Sequence, residues 1–154
     1  MKSVDRSNFV FLNPYADTPQ SIGYGIFFLK KIFIILGVTI SAPHMVWIIV
    51  FLIWKHAIAL EYLKDFLKPG MKALDVGSGS GYLTACMALM VAPDEKSEGR
   101  VYGIEYIKEL IPESINNLRK DPKISKMLDN KQIIIQHGDG WKGLPEHAPF
   151  HAIH

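Results

Sequence analysis

An α/β fold on a parallel sheet is what this sequence predicts, and three observations predict it. From residue 67 onward, short apolar runs alternate with helical runs in compact units. The first run, Met71 to Val76, ends in a glycine cluster that opens directly into a helix. Glycines and acidic residues recur at the ends of these runs, the edge at which parallel sheets bind ligands.

The elements follow in order. Met71 to Val76 is apolar and too short for a buried helix, so it reads as a buried strand. Tyr82 to Val91, rich in Leu, Ala and Met, is a helix. Arg100 to Glu105 is a second strand. Ile107 to Lys120 is a helix with Pro112 near its first turn, where a missing N–H costs little. Lys131 to His137 is a third strand and Pro149 to His154 starts a fourth. Such an alternation requires right-handed crossovers between parallel strands. Upstream, Met1 to Gly25 is polar and turn-rich, because the prolines of Asn13-Pro14-Tyr15 and Thr18-Pro19-Gln20 push their predecessors out of helical geometry. Ile26 to Tyr62 is strongly apolar. Two parts result, 1–66 and 67–154.

Composition narrows the function classes. The 154 residues suffice for one domain with a core, and the 49% hydrophobic content owes its excess to the apolar stretch. A net charge of +2, from 17 basic and 15 acidic residues, gives no warrant for a nucleic-acid partner. The single cysteine, Cys86, excludes an internal disulfide and a Cys-only metal site, and it fits a reducing compartment. Met1 to Arg6 lacks the apolar core of a secretory signal.

The most informative residues are Leu74-Asp75-Val76-Gly77-Ser78-Gly79-Ser80-Gly81. Glycines at a strand-to-helix turn let the backbone turn tightly and let a ligand approach without meeting a Cβ. Asp75 precedes them inside the strand end. Glu105 closes the next strand, where a carboxylate takes both hydroxyls of a ribose. The Gly-x-Gly-x-Gly spacing differs from the dinucleotide pattern and resembles the loop of S-adenosylmethionine methyltransferases, whose cofactor has no pyrophosphate to cradle. Gly138-Asp139-Gly140 follows the third strand at the same edge. By itself it is a turn; at this edge Asp139 is placed to hold the adenine amino group.

Longer stretches carry a family resemblance. Asn13 to Tyr24, Thr39-Ile40-Ser41-Ala42-Pro43-His44-Met45 and Ala73 to Cys86 resemble the eukaryotic protein-L-isoaspartate O-methyltransferases, and Ile107 to Leu110, Asn116 to Lys120 and Ala152-Ile153-His154 fit as well. Thr39 to Met45 is the most specific of these. The resemblance implies a Rossmann-like methyltransferase core and methyl transfer from S-adenosylmethionine to the free α-carboxylate of L-isoaspartyl residues in damaged proteins and peptides. It implies a monomer in the cytoplasm. The carboxylate is already nucleophilic and the sulfonium already activates the methyl, so the protein acts by orientation. By resemblance, Thr39, Ile40 and Ser41 form the strip that positions the substrate carboxylate, with the Ser41 hydroxyl as donor. His56 joins them as a substrate residue. Asp75, Gly77, Ser78, Gly79, Glu105, Asp139 and Gly140 hold the cofactor.

The sequence departs from that family in three places. It starts inside the helical region that family members carry at their amino end. It stops in or just after the fourth strand, so that strand is expected to be an unprotected edge. Two apolar blocks, 26–37 and 46–55, interrupt the motifs, and deleting both restores a continuous family sequence. Their Ile, Phe and Lys content is that of AT-rich codons, which suggests translated introns. Transcript reads that run through both blocks would remove this idea. The competing reading is a membrane helix over 32–54, a span that contains no Lys, Arg, Asp or Glu. Pro43 and His44 in its middle disfavour it. These departures leave an alternative of another class, an inactive fragment, free or membrane-associated.

Other residues have plainer readings. His147, His151 and His154 are expected to be scattered loop and strand histidines, since no zinc-spaced ligand set accompanies them. Cys86 is expected to be a small core residue, and Arg119 and Lys120 the basic last turn of a helix.

Overall fold

The computed structural model describes residues 56–154. The substrate strip expected at Thr39, Ile40 and Ser41, the blocks 26–37 and 46–55, and the apolar span 32–54 lie outside the described residues. Among the described residues, no helix is long and apolar enough to cross a membrane.

Four parallel strands form the sheet: β1 (Lys72–Val76), β2 (Arg100–Glu105), β3 (Ile133–His137) and β4 (Ala152–Ile153), in the order β3-β2-β1-β4. The chain therefore builds outward from β1 through β2 to β3, then crosses back to lay β4 on the other side of β1. That reversal opens a crevice at the carboxyl ends of β1 and β4. The helices are α1 (56–63), α2 (Tyr82–Val91), α3 (Leu110–Arg119) and α4 (Pro122–Asp129). This is the predicted α/β architecture.

Register and the period of two sort the side chains onto two faces. Ala73, Val101 and Ile133 stand side by side, as do Leu74, Tyr102 and Ile134. The first row, with Ala152, packs under Met87, Val91, Leu118, Ile124 and Met127 of the helices. The second row is covered by Leu144 and Phe150, and the His147 ring stacks on Tyr102 at 4.3 Å. α2 sits almost wholly inside, with Cys86 only 4% exposed, which makes the thiol the core residue expected. Leu60, from the part assigned to 1–66, joins this same core.

Several boundaries moved. The helix expected from Ile107 begins at Leu110, because the Ile107 N–H is drawn to Glu105 Oε1 at 2.9 Å and residues 107–109 form a turn. A second helix, α4, follows in a stretch to which the sequence reading assigned no element. Asp121 caps it by accepting from the N–H groups of Lys123 and Ile124 at 2.8 and 3.1 Å, and Pro122 occupies its first turn. Arg119 ends α3 as expected and adds an ion pair to Asp129 across the α3–α4 corner at 3.1 Å.

Candidate functional site

The glycine loop is held from below by β2. The N–H groups of Gly77 and Ser78 both donate to the Ile104 carbonyl, at 2.8 and 3.2 Å. The N–H of Gly79 donates to Glu105 Oε2 at 2.9 Å. Gly77, Gly79 and Gly81 all have positive φ, a conformation that only glycine adopts without strain. Gly103 lets the loop sit this low: a Cβ there would stand 2.8 Å from Ser78 Cβ and 2.5 Å from Ile135 Cδ1.

Glu105 is 7% exposed, and each of its carboxylate oxygens accepts one backbone N–H, from Gly79 and from Ile107, both at 2.9 Å. A carboxylate has about four acceptor sites, so one on each oxygen remains for a ligand. Beyond β3, Asp139 Oδ1 accepts the Trp141 N–H at 3.0 Å and caps the short turn Gly140–Lys142. At Gly140 a Cβ would meet Val76 Cγ1 at 2.5 Å, so a larger residue there would require the Val76 side chain to shift.

These residues enclose a cleft of about 660 Å³, lined by Val76, Gly77, Ile104, Glu105, Tyr106, Asp139, Gly140 and Trp141. A Cβ on Gly77 would find no atom within 4 Å, so backbone is open to the cleft at that point. Among the described residues, the lining holds two carboxylates and no Lys or Arg. Such a wall suits a cationic ligand with hydroxyls and repels the pyrophosphate of a dinucleotide.

With this geometry in hand, comparison with known proteins is decisive. The profile of the family described as protein-L-isoaspartate(D-aspartate) O-methyltransferase matches residues 1–154. The chain belongs to this family. It is 46% identical over 154 residues to the protein-L-isoaspartate O-methyltransferase of Caenorhabditis elegans, covering 100% of this chain and 56% of that one. To the enzyme of Triticum aestivum it is 45% identical over 156 residues, again with 100% and 56% covered. A Plasmodium falciparum chain assigned to the same activity, solved in complex with S-adenosyl-L-homocysteine, superposes with a TM-score of 0.69 at 36% identity, covering 99% of this chain and 61% of that one. The chain thus spans a little over half the length of the curated relatives it matches.

Within the family frame, the expected cofactor residues separate into three groups. Gly77, Glu105, Asp139 and Gly140 line the cleft together. Ser78 and Gly79 stand behind it: the Ser78 hydroxyl is buried beside Gly103, and Gly79 contributes its N–H to Glu105. Asp75, only 1% exposed, faces elsewhere, accepting from Thr84 Oγ1 at 2.5 Å and pairing with His154 Nδ1 at 3.2 Å. The expected substrate residue His56 stands near that pair, its ring 6.4 Å from the His154 ring.

Sequence reasoning passed over Tyr106 and Trp141, which line the cleft, and Thr84 and His154, which hold Asp75. Tyr106 directly follows Glu105 and Trp141 lies two residues after Asp139, and that proximity was the available clue. His151 has a backbone role, its Nδ1 accepting from the Lys72 N–H at 3.0 Å. The Cys86 thiol is pushed up to about 11, chiefly by burial, so it is a poor nucleophile.

Proposed function

We propose that this chain carries the cofactor-binding core of an enzyme that transfers a methyl group from S-adenosylmethionine to the free α-carboxylate of L-isoaspartyl residues in damaged proteins. The observation that carries the reading is the pinned Glu105 carboxylate facing a cleft that it shares with Asp139, with open glycine backbone at Gly77. On this reading Glu105 takes the ribose hydroxyls and Asp139 the adenine amino group. The two carboxylates also favour a positively charged ligand through the low-dielectric wall. Bound there, S-adenosylmethionine supplies a methyl group already activated by its sulfonium. The protein's own contribution is orientation, since neither reactant needs a strong base.

Thr39, Ile40 and Ser41 are the proposed substrate strip, on the resemblance of their motif alone. A soluble cytoplasmic monomer acting on isoaspartyl proteins and peptides fits the reading. The full-chain family match supports it over the inactive-fragment alternative.

Calorimetric titration with S-adenosylhomocysteine and with NAD, together with transfer of labelled methyl to an isoaspartyl peptide and its aspartyl twin, tests the proposal. The expected result is binding of the first ligand only and labelling of the isoaspartyl peptide only. Binding of NAD instead, or equal labelling of both peptides, would overturn it.

A further inference from the structure

The corner that follows β2 is tied down on both edges of one peptide unit, the unit between Tyr106 and Ile107. Its N–H, carried by Ile107, donates to Glu105 Oε1 at 2.9 Å. Its carbonyl, carried by Tyr106, accepts from His137 Nε2 at 3.1 Å. The unit is trans, and a trans peptide is planar with its N–H and C=O pointing in opposite directions. Whatever fixes the carbonyl therefore fixes the direction of the N–H. His137 and Glu105 hold opposite edges of the same plane.

The sheet brings His137 to this place. Parallel register pairs Glu105 with His137 at the carboxyl ends of β2 and β3. The next residue, Gly138, donates its N–H to the Glu105 carbonyl at 3.0 Å. Two successive residues at the end of β3 hold two successive carbonyls, those of Glu105 and Tyr106. A carbonyl only accepts, so the contact with His137 needs a proton on Nε2. The neutral Nε2–H tautomer and the imidazolium both supply it, so the contact does not depend on the charge of the ring. Donation to the Tyr106 carbonyl also polarises the peptide unit and strengthens its N–H as a donor. That N–H and the Gly79 N–H are the two that orient the Glu105 carboxylate. If the 106–107 plane turned over, the Tyr106 carbonyl oxygen would face the carboxylate and repel it from this pose.

We propose that His137 is a positioning residue for the cofactor, acting through the 106–107 peptide unit to hold the Glu105 carboxylate ready for its ligand. His137 is not among the residues that line the cleft, so it acts at one remove. The inference rests on the function proposed above.

The test titrates S-adenosylhomocysteine by calorimetry into the full chain, His137→Ala and His137→Gln. Glutamine carries an amide N–H donor where Nε2 stands and has no titratable proton, so it keeps the bond without the imidazole. His137 is exposed at the strand end, and neither variant removes a core contact. The expected result is binding weakened about fivefold by His137→Ala, equivalent to about 1 kcal/mol, and held within about twofold of the wild-type chain by His137→Gln. Amide hydrogen exchange gives a second readout. Without ligand, the Ile107 amide of His137→Ala should exchange about fivefold faster, while the Gly77 amide, bonded to the neighbouring Ile104 carbonyl, keeps its rate. Unchanged binding by His137→Ala overturns the proposal, and so does a glutamine that fails to restore binding. Ile107 and Gly77 amides that speed up together overturn it too, because they report a general loosening of the strand end. A wild-type chain that binds no S-adenosylhomocysteine removes the proposed function along with the inference. A wild-type chain that binds it whatever residue stands at 137 removes the inference alone.

Discussion

Replacing Glu105 with glutamine probes the cleft most directly, and the structure sets the size of the effect. Both carboxylate oxygens accept a backbone N–H at 2.9 Å, from Gly79 of the glycine loop and Ile107 beyond β2. An amide offers one oxygen and one NH2 group, so one of these N–H groups must face a donor. The side chain is 7% exposed, and water cannot readily fill the gap. Leaving such a group unsatisfied costs about 1–3 kcal/mol of fold stability. For a chain of this size that lowers Tm by roughly 2–4 °C per kcal/mol. The ligand loses more. One acceptor for a ribose hydroxyl disappears and the other loses its charge, and a hydrogen bond to a charged group contributes about 1.5–3 kcal/mol. S-adenosylhomocysteine should therefore bind roughly 10- to 100-fold more weakly. Paired calorimetric titrations and thermal melts of the two chains, with the exposed Glu109→Gln as control, read both effects. A Glu105→Gln chain that melts normally and binds within twofold of the original would refute the role given to this carboxylate.

Three further outcomes are expected. Gly99→Ala should destabilise by roughly 3 kcal/mol or more, because its Cβ would stand 2.0 Å from the Val91 carbonyl oxygen that accepts the Gly70 N–H; a soluble variant with an unchanged denaturation midpoint would contradict this. Asp121→Ala should cost about 1 kcal/mol by uncapping α4, measurable by urea denaturation. Cys86 holds its proton to about 11 in the folded chain against an ordinary 9.0, so its contribution is fully present below pH 9 and is lost as pH rises through about 11. The loss amounts to roughly 2–3 kcal/mol. The stability difference between the original chain and Cys86→Ala should shrink over that interval, and the native thiol should resist alkylation at pH 8.

Much of the fold was legible because its signals are local. The apolar runs at β1 and β2 and the helix Tyr82–Val91 were placed within a residue, since each is short, periodic and bounded by glycine or charge. α4 was missed although Asp121-Pro122 is a legible helix start, because the helix is only 8 residues long and follows another after a two-residue corner. The cleft was half legible. Gly77, Glu105, Asp139 and Gly140 announce themselves through glycine and acid at strand ends, whereas Tyr106 and Trp141 carry no chemical signature of their own.

The sequence by itself determined the alternation of strand and helix, the glycine turn and the acidic carboxyl edge, because turn chemistry and periodicity act over a few residues. Only the tertiary structure decided where Asp75 points. Register sets it beside Gly103 and Ile135 on the helix-covered face, next to Thr84. The reversal of strand order then brings His154 to it across 79 residues of chain. No local pattern encodes that meeting, because it depends on which strand pairs with which.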